Sequence, residues 1–262
     1  MRHELSTIFG KGVKHLAQLR GGGSALPGLF IEKIDADFTR RTLAGLPRGV
    51  VLISGTNGKT TTTKMVGELL ESQGLRVFTN RTGSNFTRGV AAALLGDVDR
   101  HGRLHADIAV LELDEAYAVH FVKTISPSYC LLLNVMRDQL DRFGEIDKTA
   151  KLLQIIARQT TRGVVVNRDD PHLGSDDFTA DLPARTKTYG VSPAVANLFP
   201  SDEAMRLDGD AMSTRTRTVL YADDTSLESL DGNRAVIAYG DKDHEVTLKL
   251  KGIYNIQNAT AA

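Results

Sequence analysis

The sequence predicts an α/β fold: a mostly parallel, P-loop-type sheet flanked by helices, with a small antiparallel β appendage. Three observations predict it. From residue 50 onward, short apolar runs alternate with helix-patterned stretches, which is how βαβ units and a buried parallel sheet read. A glycine-containing segment ending in Lys-Thr lies between the first run and the first helix. After about residue 192 the runs follow one another across polar turns such as ADD and DGN, leaving no room for crossover helices.

Residues 3–20 place Leu5, Ile8, Phe9, Leu16 and Leu19 at near-helical spacing among basic residues, and GGGSALPG (21–28) breaks any helix. A second short pattern covers 29–46 and closes at Pro47. The apolar runs are VVLIS (50–54), RVFT (76–79), ADIAVLEL (106–113), SYCLLLNV (128–135), RGVVVN (162–167) and TKTYG (186–190). A helix follows the first run to about Gly74, and KTAKLLQIIARQ (148–159) reads as amphipathic. In the appendage, RTVLYA (217–222), RAVIAY (234–239) and HEVTLKLKG (244–252) are strand-like, and 196–216 is a polar, weakly patterned loop. The patterns divide the chain into a helical segment over 1–48, an α/β domain over 49–251 with the appendage at 192–250, and a last segment over 252–262.

Composition narrows the function. The 262 residues are 41% apolar and 24% charged, the mix of a folded soluble domain. Thirty-two basic and 32 acidic residues balance, so no global charge drives binding to nucleic acid or anionic membrane. One cysteine, Cys130, excludes an internal disulfide framework and a multi-cysteine zinc site, and fits the reducing cytoplasm. Lying in an apolar strand, Cys130 reads as core and offers no nucleophile. No run is long enough to span a membrane, and the basic N-terminal stretch allows at most peripheral membrane contact.

The chemistry concentrates in Gly55-Thr56-Asn57-Gly58-Lys59-Thr60-Thr61. The long P-loop form fails, because Ile53 stands where its first glycine belongs, but the shorter GxxGKT form remains. Glycines let the backbone approach phosphate, the amides and helix N-terminus bind anions, Lys59 neutralises the β/γ-phosphates and Thr60 can ligate Mg²⁺. Glu112, Asp114 and Glu115 end another strand, where open α/β sheets place ligands. Asn134 and Asp138 follow a further strand; either can hold a metal-bound water or substrate, or cap the next turn. Asp169 and Asp170 precede Pro171 as a turn, and Asn255 and Asn258 share a face if helical.

GTNGKTTTT, VLELDEA (110–116), NVMRDQLDRFG (134–144), VVVNRDDP (164–171) and GIYNIQNATAA (252–262) resemble, in order, five segments of the Mur ligase superfamily. The resemblance implies ATP bound by residues 55–61, the family's magnesium-binding glutamate at Glu112 and adenine near Asn255 and Asn258. It gives Asp138 a catalytic place beside Lys59 and Glu112, with Gln139 standing where most members have His. Some members carry a carbamylated lysine near Lys151, with Lys148 competing; an ordinary surface lysine is the simpler reading. The short segment before the loop, GKTT in place of GKGS, RGGGSALPG (20–28), TNRTGSNFTRG (79–89) and DQLDRFGE (138–145) look most like the MurT branch. That branch amidates the α-carboxylate of D-glutamate in a lipid-linked peptidoglycan precursor, with ammonia from a GatD-like glutaminase subunit in a heterodimer. The implied cofactors are ATP and Mg²⁺. The four-cysteine zinc ribbon of many such proteins has no cysteines here, so no zinc is expected. The resemblance further implies a chain that covers the N-terminal and central parts of a longer cytoplasmic enzyme, with 49–251 as the central ATP-binding domain and 252–262 as the start of a hinge into a C-terminal domain, at most touching the inner face of the plasma membrane. The competing readings are an amino-acid-adding Mur ligase, a folylpolyglutamate synthase-like ligase, and an ATP-binding module without ligase chemistry.

Overall fold

The computed structural model describes residues 2–19, 25–80, 87–136, 145–199 and 224–262. The expected strand 217–222, most of the expected loop 196–216, and Asp138 with Gln139 lie outside the described residues.

Seven parallel strands and a terminal antiparallel pair form one nine-stranded sheet. The strands are β1 (Val50–Ser54), β2 (Val77–Thr79), β3 (Ile108–Glu112), β4 (Tyr129–Leu132), β5 (Gly163–Asn167), β6 (Arg185–Val191), β7 (Thr225–Asp231), β8 (Arg234–Tyr239) and β9 (Lys242–Thr247), in the order β2-β3-β1-β4-β5-β6-β7-β8-β9. The chain leaves β1 for the edge strand β2, returns through β3, and then passes β1 to reach β4. β1 therefore lies at the topological switch point, where a crevice opens outside the carboxyl ends of the strands.

The apolar runs become strands because both sheet faces are covered. Leu52, Leu111 and Leu132 face the larger core with Phe38, Leu94 and Leu153, while Ile53, Val110 and Leu131 face the opposite side with Tyr189 and Ala261. Alternate side chains on one strand feed the two cores, so every position of β3 is buried. A third cluster, including Val191, Phe199, Leu227, Ile237 and Ile256, sits beneath the antiparallel end.

Helices cover these faces: α1 (Arg2–Leu19), α2 (Ala25–Ile34), α3 (Phe38–Ala44), α4 (Lys59–Ser72), α5 (Thr87–Asp97), α6 (Glu115–Val122), α7 (Glu145–Arg158), α8 (Asp176–Thr179) and α9 (Ile253–Ala261). Among the described residues, no helix is long and apolar enough to cross a membrane.

Several local expectations change. The helix break over 21–28 is shorter than expected: α2 starts at Ala25 and holds Pro27 in its first turn, where proline's missing N–H costs nothing. The pattern over 29–46 is two helices, α2 and α3, divided at 35–37. The expected apolar stripe of α1 does not face inward at Ile8 and Phe9, which are exposed; Ser6, Thr7 and Gly10 are buried instead. Close packing explains this: a Cβ on Gly10 would stand 2.8 Å from Leu95, so α1 approaches α2 and α5 through small residues. Helix α5 has no periodic signature because Gly89 through Leu95 are all buried, and a helix buried all round carries no stripe. The final run is strand only over Lys242–Thr247, and β7, rich in polar residues, joins β6 in parallel.

Candidate nucleotide and cation site

The segment after β1 turns sharply into α4. Gly55 and Gly58 have φ of +137° and +87°, conformations that favour glycine. Both also lack room for a side chain: a Cβ on Gly55 would lie 3.0 Å from the Asn134 nitrogen, and one on Gly58 would lie 2.5 Å from Asn258 Oδ1.

Asn134, just beyond β4, brackets this turn. Its Oδ1 accepts from the Asn57 amide at 2.8 Å, its Nδ2 donates to the Asn57 carbonyl at 3.1 Å, and its own carbonyl accepts from the Thr56 amide at 3.0 Å. The Met136 amide donates to Thr56 Oγ1 at 3.0 Å. The amides of Thr56 and Asn57 are thus engaged with Asn134, and the loop's anion donors begin at Gly58. Gly58, Lys59, Thr60 and Thr61 form the first turn of α4, whose N-terminus carries no side-chain cap. Those unpaired amides, with the helix dipole behind them, form an anion-binding end.

Two charged groups flank that end. Lys59 Nζ donates to the Gly55 carbonyl and, at 3.0 Å, to the Thr56 carbonyl, with Glu115 Oε1 at 4.0 Å. Thr60 Oγ1 donates to Glu112 Oε1 at 2.8 Å, and Glu112 is only 7% exposed at the end of β3. Asn80, which follows β2 and is itself buried, binds the Glu112 backbone twice: its Oδ1 accepts from the Glu112 amide at 2.9 Å and its Nδ2 donates to the Glu112 carbonyl at 2.8 Å.

The remaining candidates divide. Asp114 is the N-cap of α6, accepting from the Ala116 amide at 3.4 Å. Asp170 is more than a turn residue: its carboxylate accepts from the amides of Val135, His172 and Leu173 at 2.7, 2.9 and 3.0 Å, tying the turn after β5 to the Asn134 segment. Burial pushes its pKa above the ordinary carboxylate value, against the pull of those amides, and burial pushes Tyr189 well up too. Asp169 accepts from the Val191 amide at 2.7 Å. Asn258 reaches Gly58, whereas Asn255 turns its amide to the Lys251 carbonyl at 2.7 Å. Lys148 and Lys151 are exposed on α7. Cys130 is buried beside Thr160, its thiol pushed up to about 12 by burial.

Sequence reasoning passed over Asn80 and Asn167, whose Nδ2 donates to the Leu133 carbonyl at 3.1 Å. The signal was present: Asn80, Asn134 and Asn167 each stand at or just past the end of an apolar run.

The sequence pattern of the Mur ligase middle domain matches residues 53–262. The chain belongs to the Mur ligase family. Its curated relatives include the MurT subunit of lipid II isoglutaminyl synthase (glutamine-hydrolyzing) from Streptococcus pneumoniae R6, 31% identical over 100% of this chain and 62% of the relative. The subunit of the same name from Staphylococcus aureus COL is 34% identical over 61% of this chain and 35% of the relative. A UDP-N-acetylmuramoylalanine–D-glutamate ligase from Burkholderia multivorans is 29% identical over 84% of this chain. The chain thus spans between 35% and 62% of the length of those MurT relatives. Among solved Mur ligases, MurF from Acinetobacter baumannii superposes with a TM-score of 0.63 at 20% identity, over 90% of this chain and 45% of that one. MurF from Thermotoga maritima in complex with ADP superposes with a TM-score of 0.61 at 21% identity, over 90% of this chain and 48% of that one.

In this Mur ligase chain the donor set suits Mg²⁺. Among the described residues, no cluster of three or more His, Cys, Asp or Glu side chains forms an all-protein metal cage. Mg²⁺ does not need one, since it keeps several waters and takes one or two protein oxygens plus phosphate. The buried Glu112 carboxylate and the Thr60 hydroxyl, beside a helix N-terminus suited to phosphate, are such oxygens.

Proposed function

We propose that this chain is the nucleotide-binding part of an ATP-dependent ligase that amidates the D-glutamate α-carboxylate of a lipid II peptide stem. The observation that carries the reading is the pairing of Lys59 and the α4 amides with the Thr60–Glu112 oxygens, in a chain whose relatives include MurT subunits.

Bringing an anionic carboxylate against an anionic γ-phosphate is the physical obstacle. The amides of Gly58 to Thr61 hold the phosphates, and Lys59 leaves the Gly55 and Thr56 carbonyls to neutralise them. Thr60 and Glu112 would hold Mg²⁺, which would supply further neutralisation of the phosphate charge. The carboxylate oxygen attacks the γ-phosphorus, ADP leaves, and an acyl phosphate forms. Ammonia then attacks the acyl carbon, the C–O bond to phosphate breaks, and the nitrogen loses a proton. Cys130, buried with its thiol pushed up by burial, is no nucleophile for releasing ammonia; the reading takes ammonia from a separate glutaminase partner, in keeping with relatives named as a subunit of a glutamine-hydrolyzing synthase. Asn258, against Gly58, is suited to the nucleoside side of the site. The acceptor site, the partner and a cytoplasmic setting belong to the whole protein and to this proposal.

The D-glutamate-adding ligases among the relatives favour a second reading, amino-acid addition. Two experiments test the proposal. Calorimetry should detect Mg-ATP binding that Lys59→Ala abolishes; equal affinity in both proteins refutes the nucleotide site. The whole protein with its glutaminase should give a muropeptide about one dalton lighter than the acid, with glutamine serving only when the partner is present. A gain on the order of 100 daltons would select amino-acid addition instead.

A further inference from the structure

Backbone pairing between β2 and β3 ends at Thr79 with Val110, yet β3 runs two residues further to Glu112. The buried N–H and C=O of Glu112 face away from β1, whose Ile53 carbonyl instead accepts from Leu113. The Asn80 carboxamide meets both groups, accepting from the N–H at 2.9 Å and donating to the C=O at 2.8 Å. These two bonds fix the peptide planes on either side of Glu112. Those planes set the direction of a side chain whose carboxylate meets Thr60 at 2.8 Å. Both side-chain bonds of Asn80 end on this one residue.

We propose that Asn80 is a positioning residue for the cation site: it pins the Glu112 backbone so that the carboxylate faces Thr60 in the geometry a divalent cation on bound nucleotide requires. This rests on the Mg-ATP reading above. Groups that orient metal ligands typically change metal affinity by about 10–100-fold when removed.

The test is calorimetry of ATP binding to the chain with Mg²⁺ and with EDTA, for wild type, Asn80→Ala, Glu112→Gln and the double variant. The readout is the ratio of the two affinities. Asn80→Ala should cut that ratio by about tenfold or more while the EDTA affinity stays within about twofold, because the α4 amides and Lys59 are untouched. In the Glu112→Gln background, Asn80→Ala should change the ratio no further. An unchanged ratio, or equal loss with and without Mg²⁺, overturns the proposal and marks Asn80 as a structural residue only. Wild-type protein whose ATP binding ignores Mg²⁺ overturns both this proposal and the reading it rests on. If Asn80→Ala does not fold, Asn80→Ser, which can satisfy one of the two groups, is measured by the same ratio and must shift it in the same direction.

Discussion

Replacing Gly58 by alanine strains the phosphate turn in two separable ways. The backbone there has φ +87° and ψ −8°, and a left-handed conformation costs a non-glycine residue about 1–2 kcal/mol. The new Cβ would also sit 2.5 Å from Asn258 Oδ1. That atom ends a movable side chain, so relief costs toward the lower end of the usual overpacking range, about 1 kcal/mol. Gly58→Ala should therefore lower the unfolding free energy by about 2–3 kcal/mol. In an Asn258→Ala background the steric part disappears and about 1–2 kcal/mol remains. Urea titrations of the four proteins, with unchanged m-values, measure this directly. A cost for Gly58→Ala below about 0.5 kcal/mol would refute the left-handed turn, since ordinary surface changes fall in that range. Equal costs in both backgrounds would refute the contact between α9 and the loop.

Two further outcomes follow from charge and burial. Asp107 accepts from the Arg76 guanidinium at 2.7 and 3.1 Å and from the Arg76 amide at 2.8 Å, which holds its carboxyl down to about 2. A depressed carboxylate stabilises above its unfolded value near 3.8 and loses that stability as pH falls toward 2, so the gap in urea midpoint between wild type and Asp107→Asn should close across that window. A gap that persists unchanged at pH 2 refutes the ion pair as its source; Asp99, also held at about 2, titrates in both proteins and does not affect the difference. Cys130, buried and pushed up to about 12, should react with a thiol reagent at neutral pH only as fast as the protein unfolds, and rapid labelling of native protein would contradict its place in β4.

Much of the architecture was legible because its physics is local. VVLIS, ADIAVLEL, SYCLLLNV and RGVVVN are short runs apolar on consecutive residues, as a strand covered on both faces requires, and each is a central strand. Helix α7 carried a clear amphipathic pattern because one of its faces meets solvent. Helix α5 did not, because its surroundings are apolar all round, and the inward face of α1 was misjudged because close helix packing selected Gly10 over Ile8 and Phe9. Strand β7 carries no apolar signature because, of its seven residues, only Ser226 and Leu227 are buried.

The sequence by itself determined the chemistry at residues 55–60: which glycines permit the turn, which lysine carries the charge and which hydroxyl follows it. Those properties belong to residue types and to spacing along one segment. Only the tertiary structure decided what that segment meets. Glu112 reaches Thr60 because β3 lies beside β1, and Asn134 closes on Asn57 because β4 lies on its other side. Asn80, 32 residues before Glu112, acquires its place only when β2 pairs with β3. A carboxamide can hold a peptide group from any strand end, so its partner is set by strand order, and strand order is a property of the folded sheet.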